Sequence, residues 1–87
     1  MSKSRTNREW ASLKVGDIVH PYFKGIWRIT AILPRTEAPT PLVKVIKLAT
    51  NNCKPCKSIE DECDISWCFL VAENTIAYAK SNGVSFD

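Results

Sequence analysis

Through the middle of this 87-residue chain, apolar and polar residues alternate with the two-residue period of half-buried strands, not the 3.6-residue period of helices. From Ile26 to Leu33 the pattern puts Trp27, Ile29, Ala31 and Leu33 on one face and Arg28 and Thr30 on the other, and Pro34 stops the strand by removing a ladder donor. A strand over Asp17 to Tyr22 precedes it, entered through the Gly16-Asp17 turn pair and left through Phe23-Lys24-Gly25, a hairpin loop whose glycine suits a positive φ. Arg35 to Pro41, with Pro39, Thr40 and Pro41, reads as an exposed loop. Leu42 to Ala49 is a third strand. Its apolar positions slip from Val43 and Val45 to Ile46 and Leu48, which predicts a bulge between Val45 and Ile46, with Lys44 and Lys47 on the polar side of each phase.

Asn51 to Asp64 reads as a cysteine-bearing loop, basic in its first half and acidic in its second. A fourth strand is expected from Ile65 to Val71, with Ile65, Trp67, Phe69 and Val71 facing one way and Ser66, Cys68 and Leu70 the other. At the end, Asn74 as cap, Thr75 to Ser81 as two turns and Gly83 as stop predict one short helix; a strand over Thr75 to Ala79 competes with it. Residues 1–9 then read as a flexible basic arm and residues 10–87 as a single domain. That domain is expected to be mainly β, a partly open barrel of about five short strands with one short C-terminal helix.

The run Val15-Gly16-Asp17-Ile18-Val19, followed by Gly25-Ile26-Trp27-Arg28-Ile29, resembles the opening hairpin of SH3-like small barrels, including KOW and Tudor-type modules. The likeness spans the first hairpin only. It implies a module that binds RNA, DNA, modified peptides or proline-rich segments and is seldom an enzyme. The cysteine-bearing loop departs from the usual small-barrel pattern.

Composition narrows the function classes. A mass of 9.8 kDa, 45% hydrophobic and 24% charged residues describe one ordinary folded domain with a thin core. A chain of this size hides only about 60–65% of its unfolded surface. A multi-domain enzyme and a full dinucleotide-binding fold are excluded on length. The longest apolar run, Trp67 to Ala72, has six residues, against the roughly 20 that a spanning helix needs. No apolar segment follows the basic start, so the chain is expected to be soluble and cytoplasmic. The net charge of +3 conceals a split: residues 1–57 hold eleven cations against three acids, or +8, and residues 58–87 one cation against six acids, or −5. Such a split suggests either a surface that faces a polyanion or an acidic tail that folds back onto the basic part.

The cysteines offer the sharpest candidate chemistry. Cys53-Lys54-Pro55-Cys56 is followed by Cys63 and then Cys68. A C-x₂-C turn presents two thiolates to one tetrahedral ion, and Cys53, Cys56, Cys63 and Cys68 together would make a structural zinc site that reinforces the thin core. Against it, the second pair is separated by four residues, Cys68 falls in an apolar segment and the loop lacks glycines. Purely structural thiols are the plainer alternative. Cys-Lys-Pro-Cys is also similar to a thioredoxin-type redox turn, but no helix N-terminus is expected there to lower the first thiol's pKa.

Other chemistry is thin. His20 is the only histidine and has no nucleophile in view; Glu60, Asp61, Glu62 and Asp64 lack a calcium-loop register; no phosphate-cradling glycine loop occurs. No catalytic residue is therefore expected. Arg5, Arg8, Tyr22, Phe23, Lys24, Arg28, Lys44 and Lys47 interleave cations with rings, the composition of a face that tracks phosphates and stacks bases. Trp27, sharing a face with Ile29, belongs to the core. The expectation is a non-enzymatic module that contacts nucleic acid or a nucleoprotein. Its alternative is a protein-interaction module or inhibitor docking on a larger complex, since exposed aromatics and arginine also anchor protein interfaces. No membrane and no small-molecule substrate are expected as partners.

Overall fold

The structure, a computed structural model, describes residues 10–86. A 3-10 turn, Trp10–Ser12, leads into β1 (Ile18–His20), β2 (Ile26–Leu33), β3 (Leu42–Ala49) and β4 (Glu60–Asp64); a second 3-10 turn, Ile65–Trp67, leads to β5 (Phe69–Leu70) and helix α1 (Glu73–Ser81). The fold is mainly β, as the alternation predicts: five strands form one open antiparallel sheet in the order β4-β3-β2-β1-β5, followed by a short C-terminal helix. No helix among the described residues is long and apolar enough to cross a membrane.

Two cores flank the sheet. Leu13, Val19, Trp27, Ile29, Val43, Val45, Cys63, Ile65 and Cys68 make the first, and Ile26, Ala49, Cys53, Val71, Ala79 and Val84 make the second under α1. Two faces in use explain why the expected bulge in β3 is misplaced. Ile46 and Leu48 do not continue the row of Val43 and Val45. Leu48 packs toward the second core, so β3 carries apolar residues on both sides, as strands covered on both faces do. The irregularities fall elsewhere on the β2–β3 ladder. Ile29↔Val45 is followed by Ala31↔Lys44, which leaves Thr30 as the extra residue, and Ile26↔Ala49 is followed by Trp27↔Lys47, which leaves Leu48 over. Past Thr30 the phase of β2 flips, and Ile32, not Ala31 or Leu33, packs against the first core.

The expected strand over Ile65 to Val71 is corrected. Asp64 Oδ1 accepts from the Ser66 N–H at 2.9 Å and from Ser66 Oγ at 2.8 Å, and these local bonds turn Ile65–Trp67 into a 3-10 helix. Only Phe69 and Leu70 remain to pair with β1. The acidic half of the expected 51–64 loop is itself a strand, since β4 pairs with β3 from Leu42↔Asp64 to Ile46↔Glu60. Glu60, Asp61 and Glu62 are strand-poor residues tolerated at an edge because they are exposed to water, with Cys63 alone buried. The helix forms where expected but starts earlier, at Glu73. Ala72 is its N-cap and makes no side-chain bond, so Asn74 lies inside the helix and caps nothing. Ala79 and Ile76 carry the helix onto the second core.

Candidate binding site

An aromatic ladder climbs out of the first core. Trp27 is buried, and its Nε1–H donates to Lys24 O at 3.0 Å, which fixes the β1–β2 connection over it. Phe23 meets Trp27 edge-on at 4.8 Å and 77°, and Tyr22 meets Phe23 at 5.0 Å and 72°. Tyr22, 67% exposed, then touches Trp67 of the 3-10 turn at 5.6 Å and 60°. Edge-to-face stacking of this kind holds rings in place beyond their area burial. His20 Nδ1 lies 3.1 Å from Gly25 O, a further tie between the two ends of the connection.

The Tyr22–Trp67 ridge separates two clefts. On one side His20, Pro21, Tyr22, Trp67 and Phe69 enclose about 540 Å³. On the other, Tyr22, Arg35, Leu42, Cys63, Asp64 and Trp67 line an open cleft of about 500 Å³. Leu70 follows the cleft wall Phe69 in β5, and both are exposed. The polar end of the second cleft is Asp64, which is ion-paired with Arg35 and accepts from Thr40 Oγ1 at 2.7 Å. Arg35 Nε also donates to Thr40 O at 2.8 Å.

Burial alone would raise the Asp64 carboxyl, but the bonds from Thr40 and Ser66 and the charge of Arg35 outweigh it and hold the carboxyl below the ordinary range. A depressed folded-state pKa adds stability that is fully present above the unfolded value, about 4, and is lost as pH falls through the lower folded value. Asp64→Asn is therefore expected to flatten the acid limb of stability against pH below about pH 4, and Asp64→Ala to cost about 2 kcal/mol at neutral pH. Urea unfolding across pH 2.5 to 7, in steps of about half a unit, checks both.

Of the described residues expected to form a cationic face, Tyr22, Lys24 and Lys44 are exposed and Phe23, Arg28 and Lys47 are half-buried. Arg28 is half-buried, not exposed, and its Nη1 donates to Phe86 O at 2.7 Å, tying the C-terminal segment to β2. Phe23 is half-buried beneath Tyr22. Lys47 is half-buried with Nζ 5.8 Å from the centre of the Trp27 ring. Lys44 is exposed but faces Glu62 across the β3–β4 ladder, in a cleft it shares with Glu60 and Asp61. Lys24 is exposed, two positions after Tyr22 in the chain. Arg5 and Arg8 lie outside the described residues. Trp67 is the member that the pattern misassigns, since alternation counts it with Ile65 and Phe69 on one strand face; only the Asp64-Ile65-Ser66 capping signal could have revealed the turn.

The four cysteines do not converge. Cys53 is buried in the second core, its carbonyl accepting from Asn82 Nδ2 at 2.9 Å, whereas Cys63 and Cys68 are buried together in the first. Among the described residues no group of three or more His, Cys, Asp or Glu side chains could hold a metal. The residues thus do not fit the zinc site that their spacing suggests: a C-x₂-C turn supplies a second ligand pair only if the fold brings the distant cysteines back to it. No protein-family model matches this chain, and neither a curated protein nor a solved structure does.

Proposed function

We propose that this chain is a non-enzymatic, SH3-like protein-interaction module that takes an extended, proline-rich peptide across the Tyr22–Trp67 ridge. The observation that carries this reading is the pair of ring-walled clefts, about 540 and 500 Å³, either side of two stacked aromatics. An extended polyproline II segment presents its rings in a fixed, low-entropy array, and aromatic grooves take such segments with little ordering cost. The resemblance of the first hairpin to SH3-like barrels supports the same class of ligand. The contacts made by cations point the same way: Arg28 and Arg35 are engaged within the fold and Lys44 lies opposite an acid, which weakens the case for a phosphate-tracking face.

Binding of a labelled proline-rich peptide library, followed by anisotropy, tests the proposal. Trp67→Ala and Tyr22→Ala are expected to weaken the best peptide at least tenfold, about 1.4 kcal/mol or more each. Lys44→Ala should leave it unchanged, and affinity should barely move between about 50 and 200 mM salt. The rival is nucleic acid, favoured by two exposed residues close in sequence, the ring of Tyr22 and the cation of Lys24, since base stacking on a ring is worth about 1–3 kcal/mol. Oligonucleotide binding that falls steeply with salt and with Lys24→Ala, in the absence of any peptide binding, would replace the present reading with that one.

A further inference from the structure

Cys63 and Cys68 meet in the first core with their sulfurs 3.5 Å apart. Their backbones are held from two directions. Cys63 pairs with Val43 on the β3–β4 ladder, and Cys68 closes the 3-10 turn, its N–H donating to Ile65 O at 3.1 Å. The intervening turn is fixed by the Asp64 and Ser66 bonds, so the two thiols face each other through structure and not through chance rotamers. Cys63 also lines the cleft below Tyr22 and Trp67, which gives it a path to solvent that the fully buried Cys68 lacks.

We propose that Cys63 and Cys68 form a redox-convertible modification site, in which a low-molecular-weight disulfide or a hydroperoxide closes a Cys63–Cys68 disulfide beneath the aromatic cleft. The site differs from the Cys53-Lys54-Pro55-Cys56 turn, whose Cys53 is buried in the other core. It also stands apart from peptide binding, because the product is covalent and is read directly.

The order of events follows from the geometry. The bond from Cys68 holds the Cys63 thiol below the ordinary cysteine range despite burial and the charges of Asp61 and Asp64, while the same bond and burial push Cys68 far up. Because Cys63 borders the cleft and Cys68 is fully buried, Cys63 is the attacking thiolate and Cys68 the resolving thiol. With a small disulfide, Cys63 Sγ attacks one sulfur, forming a mixed disulfide and releasing the other half as a thiolate. Cys68 gives its proton to that thiolate and attacks Cys63 Sγ, expelling the second small thiolate, which takes up the proton lost from Cys63. Two protein thiols and one small disulfide become one protein disulfide and two small thiols, with two electrons transferred. With a hydroperoxide, Cys63 takes one oxygen as a sulfenic acid and an alcohol leaves; Cys68 then displaces that oxygen as water. The sulfurs must close by about 1.5 Å to reach bonding distance, a movement within reach of a side-chain adjustment.

The test uses the full chain, folded, treated with graded glutathione disulfide or with hydrogen peroxide and then blocked with N-ethylmaleimide. Digestion at Asp64 or Trp67 under non-reducing conditions separates the two cysteines unless they are bridged. The expected product is one cross-linked peptide pair joining positions 63 and 68, lighter by two hydrogens and cleaved by dithiothreitol. A Cys53→Ser/Cys56→Ser double variant should give the same pair at the same oxidant ratio. Glutathione left unresolved on Cys63, a bridge to Cys53 or Cys56 in its place, or persistence of both free thiols at oxidant excess would overturn the proposal.

Discussion

Replacing Trp27 by alanine is expected to lower stability by about 3–5 kcal/mol, the range for deleting a buried aromatic side chain. Trp27 is 4% exposed and is where the first core, the β1–β2 connection and the aromatic ladder meet. At about 0.05–0.15 kcal/mol per residue, a domain of this length holds roughly 4–13 kcal/mol in all. A loss of that size removes about a quarter of the total or more, and at the lower end leaves a largely unfolded chain. Trp27→Phe keeps a ring against Phe23 but leaves Lys24 O without its donor, and should cost about 1–2 kcal/mol. Urea midpoints at unchanged slope would check the pair. Equal losses for the two variants would show that the ring's volume is not what holds the connection down.

The second large effect is expected at Gly25. Its φ is +113°, and a Cβ built there would lie 2.7 Å from Lys47 Cε, 3.0 Å from Ala49 O and 3.0 Å from Trp27 Nε1. Lysine can swing away, but a backbone oxygen in β3 and the indole held by Lys24 cannot move without disturbing the ladder. Gly25→Ala combines that clash with the left-handed penalty and should cost about 3 kcal/mol or more. Gly16 is the control: its φ is +99°, but nothing lies within 4 Å of its Cβ position. Gly16→Ala should cost only the conformational part, about 1–2 kcal/mol. Thermal or urea unfolding of both variants separates crowding from strain, and equal costs would remove the crowding argument.

These two positions also show what the amino-acid pattern could and could not reveal. The bounds of β2 and β3, the positive φ of Gly25 and the end of the C-terminal helix follow from alternation, turn chemistry and the Gly83 stop, all of them local. What escaped was set largely by contacts distant in the chain. β4 is built from acids that disfavour strands and forms because β3 offers it a ladder. Ile65–Trp67 leaves the β alternation because Asp64 gathers Ser66, Thr40 and Arg35 around one carboxylate. Arg28 reads as surface until Phe86, fifty-eight positions on, returns to accept its hydrogen bond. The candidate site was half visible for the same reason: Tyr22 stands out as an exposed ring, whereas Trp67 becomes its neighbour only once the 3-10 turn is formed.

Among the described residues the sheet has two margins that pair with no further strand, and they carry opposite characters. β5 ends the sheet as two exposed apolar residues, too short to template another strand, while β4 offers a longer margin studded with Glu60, Asp61 and Glu62. Any identical chain approaching β4 edge to edge would bring three carboxylates against three more, so mutual repulsion guards the margin that is long enough to recruit a neighbour. Such a guard weakens in acid and in concentrated salt, and those are the conditions under which this protein should begin to form fibrils or sheet-like oligomers.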